Sequence, residues 1–231
     1  MGATLNNIHT DDWGLIVEKI TITPPKVKTR VVEVPYGFEL DMTELDGNLH
    51  YENREIVIQL GGRKRKNEWP TFMSAFLNEY QGRIVKFTPD NDLGYYYFGR
   101  AHVQKDVERI ARIGKFAMKI DANPYKYDVQ TSTEEWKWDP FNFDIGVIRE
   151  MKDVEITSSN NTIQVPGTGV GVVPIFDVSV SNNLAVVVNN KTYTLTIGKN
   201  RFPEIKIGKS TMDLTFQGTG TLSLDYRGRS L

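Results

Sequence analysis

The chain is predicted to be mainly β, with an α+β first domain carrying one amphipathic helix and a second domain that is an antiparallel β-sandwich. Three observations predict this. β-branched and aromatic residues recur in short runs bounded by Gly, Pro, Asn and Asp. The second half alternates apolar and polar residues with period two, and residues 67–81 keep the three-and-four spacing of a helical stripe.

The first run, WGLIVEKITIT from Trp13 to Thr23, reads as a strand closed by Pro24-Pro25, because proline cannot donate to a ladder. A second strand is expected over residues 29–34. After the turn signal Pro35-Tyr36-Gly37 comes FELDMTELDGNLHYENREIVIQLGG, where Asp46-Gly47 marks a tight connection and Ile56, Ile58 and Leu60 share one face. A hairpin across Asp46-Gly47 is therefore expected. The helix follows, with Trp69, Phe72, Met73, Phe76, Leu77 and Tyr80 on one stripe. Asn67 is its expected N-cap, Pro70 sits in the first turn, and Gly82 can take the left-handed conformation that ends it. Strands resume with RIVKF, LGYYYFGRAHV and KFAMKIDANPYKY, separated by the turn Pro89-Asp90-Asn91-Asp92.

At QTSTEEWKWDPFNF the chain changes character, mixing polar residues with large aromatics around a proline. The domain boundary is placed here, giving a first domain of residues 1–132 and a second of 133–231. In the second, FDVSV sets Phe176, Val178 and Val180 on one side, and TYTLTI sets Tyr193, Leu195 and Ile197 there; MDLTF and LSLDY repeat the pattern. Asn189-Asn190 and Gly218-Thr219-Gly220 read as short turns between strands.

Composition narrows the function classes. Of 231 residues, 28 are basic and 29 acidic, so net charge gives no attraction to nucleic acid or an anionic membrane. There is no cysteine, which removes disulfides, thiolate zinc sites and a cysteine nucleophile. MGATLNNIHTDDWG is not a secretory signal, and no apolar stretch approaches the roughly 20 residues of a membrane span. A soluble protein made in the cytoplasm is expected.

No catalytic, cofactor or metal site is expected. His9, His50 and His102 are scattered, and none has a second histidine or a carboxylate at ligating spacing. No serine lies in a G-x-S-x-G elbow. The carboxylates at Asp11-Asp12, at Asp41, Glu44 and Asp46, and at Glu134-Glu135 suit solvated turns, because adjacent residues on a strand point to opposite faces. GTGVGVV at 167–173 has the glycines of a phosphate loop but leads into Pro174 and a strand, not a helix. The run Arg63, Lys64, Arg65 and Lys66 reads as a solvated hairpin tip; contact with DNA in a channel or with an acidic partner ring is the alternative. Tyr95-Tyr96-Tyr97-Phe98 divides between core packing and contact. Trp136 and Trp138, on one face of a strand, are candidate saccharide or interface contacts.

Pieces of both halves together resemble the distal tail (Dit) proteins of long-tailed phages that infect Gram-positive bacteria. These are DWGLIVEKITITPP, VVEVPYGFELDMTE, YENREIVIQL, LNEYQGRIVKF, YYYFGR, KIDANPYKY, PGTGVGVVPIFDVSV and LTFQGTGTLSLDYRGRSL, in that order. Tyr36-Gly37-Phe38 departs from the family's glycine and acid turn. The resemblance implies a homo-hexameric hub built chiefly by the first domain, joining the tail tube protein to the tail-tip lysin-associated protein, with DNA only passing through its channel. It implies a galectin-like or carbohydrate-binding-module-like second domain where a receptor-binding protein docks. It also implies a structural, non-enzymatic virion protein at the tail tip or baseplate, without a cofactor or membrane contact and assembled in the host cytoplasm. The competing reading is a lectin-like adhesion module whose second domain binds host-surface saccharide through Trp136 and Trp138.

Overall fold

The computed structural model describes residues 1–45, 47–104, 108–110, 112–135 and 147–231. Among the described residues the chain is mainly β, with one α-helix and antiparallel sheets. It divides into two compact units, one made of Met1–Asp92 and Tyr96–Lys126, the other of Leu93–Tyr95 and Tyr127–Leu231.

In the first unit the strands are β1 (Ala3–Leu5), β2 (Ile8–His9), β3 (Leu15–Ile22), β4 (Val31–Val32), β5 (Leu40–Asp41), β6 (Arg54–Arg63), β7 (Ile84–Pro89), β8 (Tyr95–Val103), β9 (Glu108–Ile110) and β10 (Ile113–Ala122). The main sheet runs β2-β1-β7-β8-β10-β6-β3, with β9 added on β10. Alternation decides which residues face inward: Ile56, Ile58 and Leu60 of β6 pair with Ile120, Met118 and Phe116 of β10, and all six are buried. Against β3 the β6 ladder shifts between Val17 and Lys19, a bulge at Glu18. Leu15 and Val17 face the core before it, and Ile20 and Ile22 pack against the core after it.

The helix α1 (Glu68–Tyr80) covers this sheet with the stripe the spacing predicts: Trp69, Met73, Phe76 and Tyr80 are buried, and Phe72 and Leu77 pack at the margin. Each fully buried large side chain contributes on the order of 1.5–3 kcal/mol relative to exposure. Trp13, at the end of a 3-10 turn (Thr10–Trp13), meets Phe72, Phe76 and Tyr80 edge-on and donates its indole N–H to Tyr80 Oη at 3.0 Å. Gly82 takes φ +72° past the helix end, as expected. Asn67 occupies the N-cap position, as expected, but its backbone is helical and its side chain makes no capping hydrogen bond. Glu68 instead reaches back to the Arg65 N–H at 2.9 Å.

The expected hairpin across Asp46-Gly47 does not form. β5 pairs with β4, and β6 pairs with β3 and β10. The long apolar β6 gains more by lying in the middle of the sheet, buried among Ile and Leu partners, than beside the polar segment that precedes it. Asp46 lies outside the described residues.

The remaining strands are β11 (Lys126–Asp128), which falls at the division, and β12 (Val154–Ile156), β13 (Thr162–Val165), β14 (Ile175–Val188), β15 (Lys191–Thr194), β16 (Gly198–Asn200), β17 (Met212–Asp225) and β18 (Arg229–Ser230). The second unit centres on β14 and β17, antiparallel strands of 14 residues each. β12 and β13 pair with opposite ends of β17, and β15 and β16 with opposite ends of β14. Residues from both ends, among them Phe176, Val178, Val186, Leu214, Phe216, Leu222 and Leu224, share one core. The sandwich is thus one sheet bent over its own core.

Bulges at Val178/Val180 and Asn182/Ala185 make the bend, and they correct two expectations. Val180 is exposed and off the Phe176–Val178 face, because the extra residue reverses the alternation. Gly218-Thr219-Gly220 is not a turn but the middle of β17; Gly218 has φ +78°, and an added Cβ there would lie 2.6 Å from the Asn182 carbonyl oxygen. Ile197 is also exposed, since β15 stops at Thr194. Asn189-Asn190 does turn the chain between β14 and β15, with φ +50° and +62°.

Candidate functional site

Among the described residues the most unusual feature is an arm outside the first unit's main sheet. Residues 26–52 run out and back as a two-stranded ribbon. Glu52 N–H donates to Lys26 O and Lys28 N–H to His50 O, each at 2.8 Å, around a Val27–Tyr51 bridge. Farther out β4 pairs with β5, Met42 N–H donates to Arg30 O at 2.8 Å, and Arg30 N–H donates to Thr43 Oγ1 at 3.0 Å. Hydrogen bonds from the Thr43 side chain and backbone hold the exposed Asp41 carboxyl below its ordinary pKa. The tip closes on Gly37 N–H to Val34 O at 3.0 Å, with Tyr36 at φ +60°. Val31, Val32, Val34, Tyr36, Phe38 and Leu40 are all exposed, Tyr36 and Phe38 almost completely. The signal for this in the sequence is a charge pattern: Lys26, Lys28 and Arg30 on the outward strand and Glu39, Asp41 and Glu44 on the return leave no side of the ribbon polar-free.

The basic run joins β6 to α1 and is not the tip of a hairpin between strands. Its members divide. Lys64 is half-buried, donating to Trp13 O at 3.0 Å and lying 4.3 Å from the centre of the Phe72 ring. Arg63, Arg65 and Lys66 are exposed, with the Arg65 guanidinium 3.8 Å from Glu68. Beside Arg63 its cross-strand partner Ile113 is exposed, and Ile16, opposite Gly61, is 67% exposed.

Among the described residues the other candidates meet only locally, His9 sitting beside Asp11 and Asp12. His9 accepts the Asp11 N–H on Nδ1 at 3.2 Å and faces Asp90 through Nε2 at 3.2 Å, tying β2 to the Asp90–Asp92 turn. His50 is in the arm and His102 on β8. Among the described residues no group of three or more His, Asp or Glu could hold a metal ion, and no helix is long and apolar enough to cross a membrane. Asp12 accepts the His9 N–H at 3.1 Å, and Glu134 accepts the Thr131 N–H at 3.1 Å. The GTGVGVV loop is tied to residues 207–208, with Thr168 N–H donating to Gly208 O at 2.8 Å and Val172 N–H to Ile207 O at 3.0 Å. Of the tyrosine patch, Tyr97 is buried, its phenol pKa raised by that burial despite Arg54 nearby, while Phe98 is exposed. Trp136 and Trp138 lie outside the described residues.

The second unit holds a largely buried polar knot whose one trace in the sequence is the pair of arginines in YRGRS. Arg149 pairs with Asp128 and donates to Gly167 O at 3.2 Å. Arg227 donates to the carbonyls of Asp128 and Val129, and Arg229 to that of Gly171. Ser132 Oγ donates to Leu224 O at 2.6 Å and accepts the Tyr226 N–H at 2.8 Å. The segment 128–132, residue 149 and the glycine loop are thereby fastened to the carboxyl end.

Tyr226, 3% exposed, donates its phenol to Pro166 O at 2.9 Å. Burial pushes its pKa from the ordinary 10 up to about 12, although the Arg149 guanidinium pulls the other way. A folded-state pKa raised in this sense favours the neutral phenol, so the contribution is complete below pH 10 and is lost as pH climbs from about 10 through about 12. Thermal melts across pH 8 to 11.5 are expected to fall steeply above about pH 10, and Tyr226→Phe to flatten that slope while lowering stability at pH 8 by about 1 kcal/mol for the lost hydrogen bond. An unchanged slope in the phenylalanine variant would assign the alkaline loss to other tyrosines.

No protein-family model matches the chain, and no curated protein matches it in sequence. Among solved structures it is similar to the crystal structure of the Dit protein (gp 19.1) of SPP1, described as a paradigm of the hub adsorption apparatus in phages infecting Gram-positive bacteria. That similarity covers 100% of this chain and 99% of the other, with a TM-score of 0.62 and 11% identical residues. Over its whole length, therefore, this chain has a Dit-like fold.

Proposed function

We propose that the chain is a structural hub protein of a long-tailed phage tail tip. The observation that carries this reading is the whole-length likeness of fold to a hub protein, over 100% of one chain and 99% of the other. In this reading residues 1–132 close a ring of six copies, and residues 133–231 project from it as the docking site for a receptor-binding protein. The ring joins the tail tube to the tail-tip lysin-associated protein, DNA only passes through its channel, and the chain performs no catalysis. Assembly takes place in the host cytoplasm and the product is part of the virion.

Two features support it. The arm exposes nine large hydrophobic side chains between Val27 and Leu49, and clustered exposed apolar residues mark interaction sites. The charge balance, 28 basic against 29 acidic residues, also suits a channel wall past which DNA moves without being held.

The test is light scattering on a sizing column with negative-stain images of the same peak, on the protein alone and mixed with its tail-tube and lysin-associated partners. A particle of six times the chain mass with a central opening is expected. A monomer in every mixture would overturn the reading, and saccharide affinity in that monomer would point to the adhesion module.

A further inference from the structure

The polar knot of the second unit joins two sides of different construction. One side is braced. Val165 belongs to the apolar core, and the glycine loop that follows it is bonded to residues 207–208. Onto this loop the segment Tyr226–Arg229 is fixed at three points. The Tyr226 phenol donates to Pro166 O, the Arg229 guanidinium to Gly171 O, and the Val170 N–H to Arg229 O at 3.0 Å. Tyr226 is itself a core residue.

The other side is the chain that enters the sandwich, Asp128–Ser132. Asp128 N–H donates to Gly228 O at 2.9 Å and Ser132 N–H to Tyr226 O at 3.0 Å. Ser132 Oγ accepts the Tyr226 N–H and donates to Leu224 O, and Met151 N–H donates to Ser132 O at 2.7 Å. The Arg227 guanidinium reaches the Asp128 and Val129 carbonyls, and the Asp128 carboxylate takes Arg149. Among the described residues, none of 127–135 or 147–150 belongs to the apolar core or packs against it.

This difference decides where the unit opens most readily. Separating apolar faces exposes them to water without compensation, whereas parted donors, carbonyls and charges recover much of their loss by hydration. A seam closed by polar contacts therefore opens at lower free energy than the core beside it. Val129 shows which way the entering chain would go. Its carbonyl faces Arg227, but its N–H donates to Gly94 O at 2.9 Å, away from the seam.

We infer that Asp128–Ser132 is a detachable strap. It parts from Leu224–Gly228 in one step while β14, β17 and the core between them stay folded, and Val129 keeps its bond to Gly94. Closed, the strap is a portion of the sandwich; parted, it becomes a tether on which the sandwich can turn. The device goes beyond the hub reading and does not depend on it, because every group in it lies within the second unit.

Hydrogen exchange of the full chain, followed amide by amide by NMR in native buffer, tests this. The amides of Asp128, Ser132, Met151 and Tyr226 close the seam. They are expected to exchange through one common opening, at least about tenfold faster than Phe216, which donates to Asn161 O at 2.7 Å from the core. Val129 and Thr168, which donate to Gly94 O and Gly208 O, should stay as slow as Phe216. Two variants weaken the seam by different means. Arg227→Met removes the guanidinium that spans two carbonyls of the strap. Gly228→Ala adds a Cβ 2.8 Å from Arg149 Cζ and closer still to the Asp128 carboxylate, a wedge between the two sides. Each is expected to speed the four seam amides at least about tenfold and to leave Phe216 unchanged.

Seam amides no faster than Phe216 in the wild type would overturn the strap, since the seam would then open only with the whole unit. Variants that speed Phe216 as much as the seam, or that speed neither, would overturn it too. Exchange of Val129 together with the seam would overturn the tether, because the strap would then let go on both sides. If Gly228→Ala does not fold, the wild type and Arg227→Met decide.

Discussion

Replacement of Trp69 by alanine is expected to lower the stability of the first unit by about 3–5 kcal/mol, the range for removing a large aromatic from a packed core. The indole is fully buried between α1 and the main sheet and meets Phe72 edge-on with ring centroids 5.5 Å apart. Its seat depends on Gly114, where an added Cβ would lie 2.6 Å from Trp69 Cη2 and 2.7 Å from Cε2. Gly114→Ala in the wild-type background should therefore cost about 1–3 kcal/mol by overpacking. In the Trp69→Ala background the same methyl enters vacated space and should be neutral or stabilising. Urea unfolding of the four chains of this cycle measures the coupling. Additive costs would mean that the indole does not rest on the glycine.

The second large effect is expected at Asp128. Its carboxylate pairs with Arg149, and both side chains are mostly out of water, 19% and 11% exposed. Asp128→Ala leaves the Arg149 guanidinium beside the Val147 and Gly167 carbonyl oxygens and the Tyr226 side chain, with no carboxylate, which costs about 3–5 kcal/mol for an uncompensated charge. Arg149→Met on top of Asp128→Ala removes that charge and should recover part of the loss, because a buried ion pair often does little better than apolar groups of similar size. Thermal melts that report on the second unit would show the single variant lower than the double. If the double variant is the less stable, the arginine's bond to Gly167 O matters more than the pair.

What the sequence disclosed and what it hid divide along a physical line. Helix α1 was legible because a stripe of Trp, Phe, Met and Tyr at helical spacing has few other ways to be buried. β6 and β10 were legible because their alternation faces a single core. The partner of β6 was not, since Asp46-Gly47 is a strong local hairpin signal and the winning pairs, β3 and β10, come from more than thirty residues away on either side. Gly218-Thr219-Gly220 misled for a related reason: glycine serves a turn and a bulge equally well, and only the approach of the Asn182 and Asn183 carbonyls distinguishes them. The basic run was visible as charge, but Lys64 turning onto Trp13 and Phe72 depends on a fold that places residues 51 positions apart together. The exposed ribbon was read as two ordinary strands because apolar residues in a strand do not say whether anything covers them.

The bulge at Glu18 bears on how such a chain can vary over generations. Before it, inward positions fall on odd numbers, Leu15 and Val17; after it they fall on even ones, Ile20 and Ile22. Losing one residue there would restore strict alternation and still deliver all four apolar side chains to the inside, at the cost of the Glu18–Lys115 ion pair, 2.8 Å long and largely in water. Homologues one residue shorter at this point should therefore be viable, whereas a single-residue deletion on the neighbouring strand β6, within Ile56–Leu60, would turn the centre of the sheet inside out.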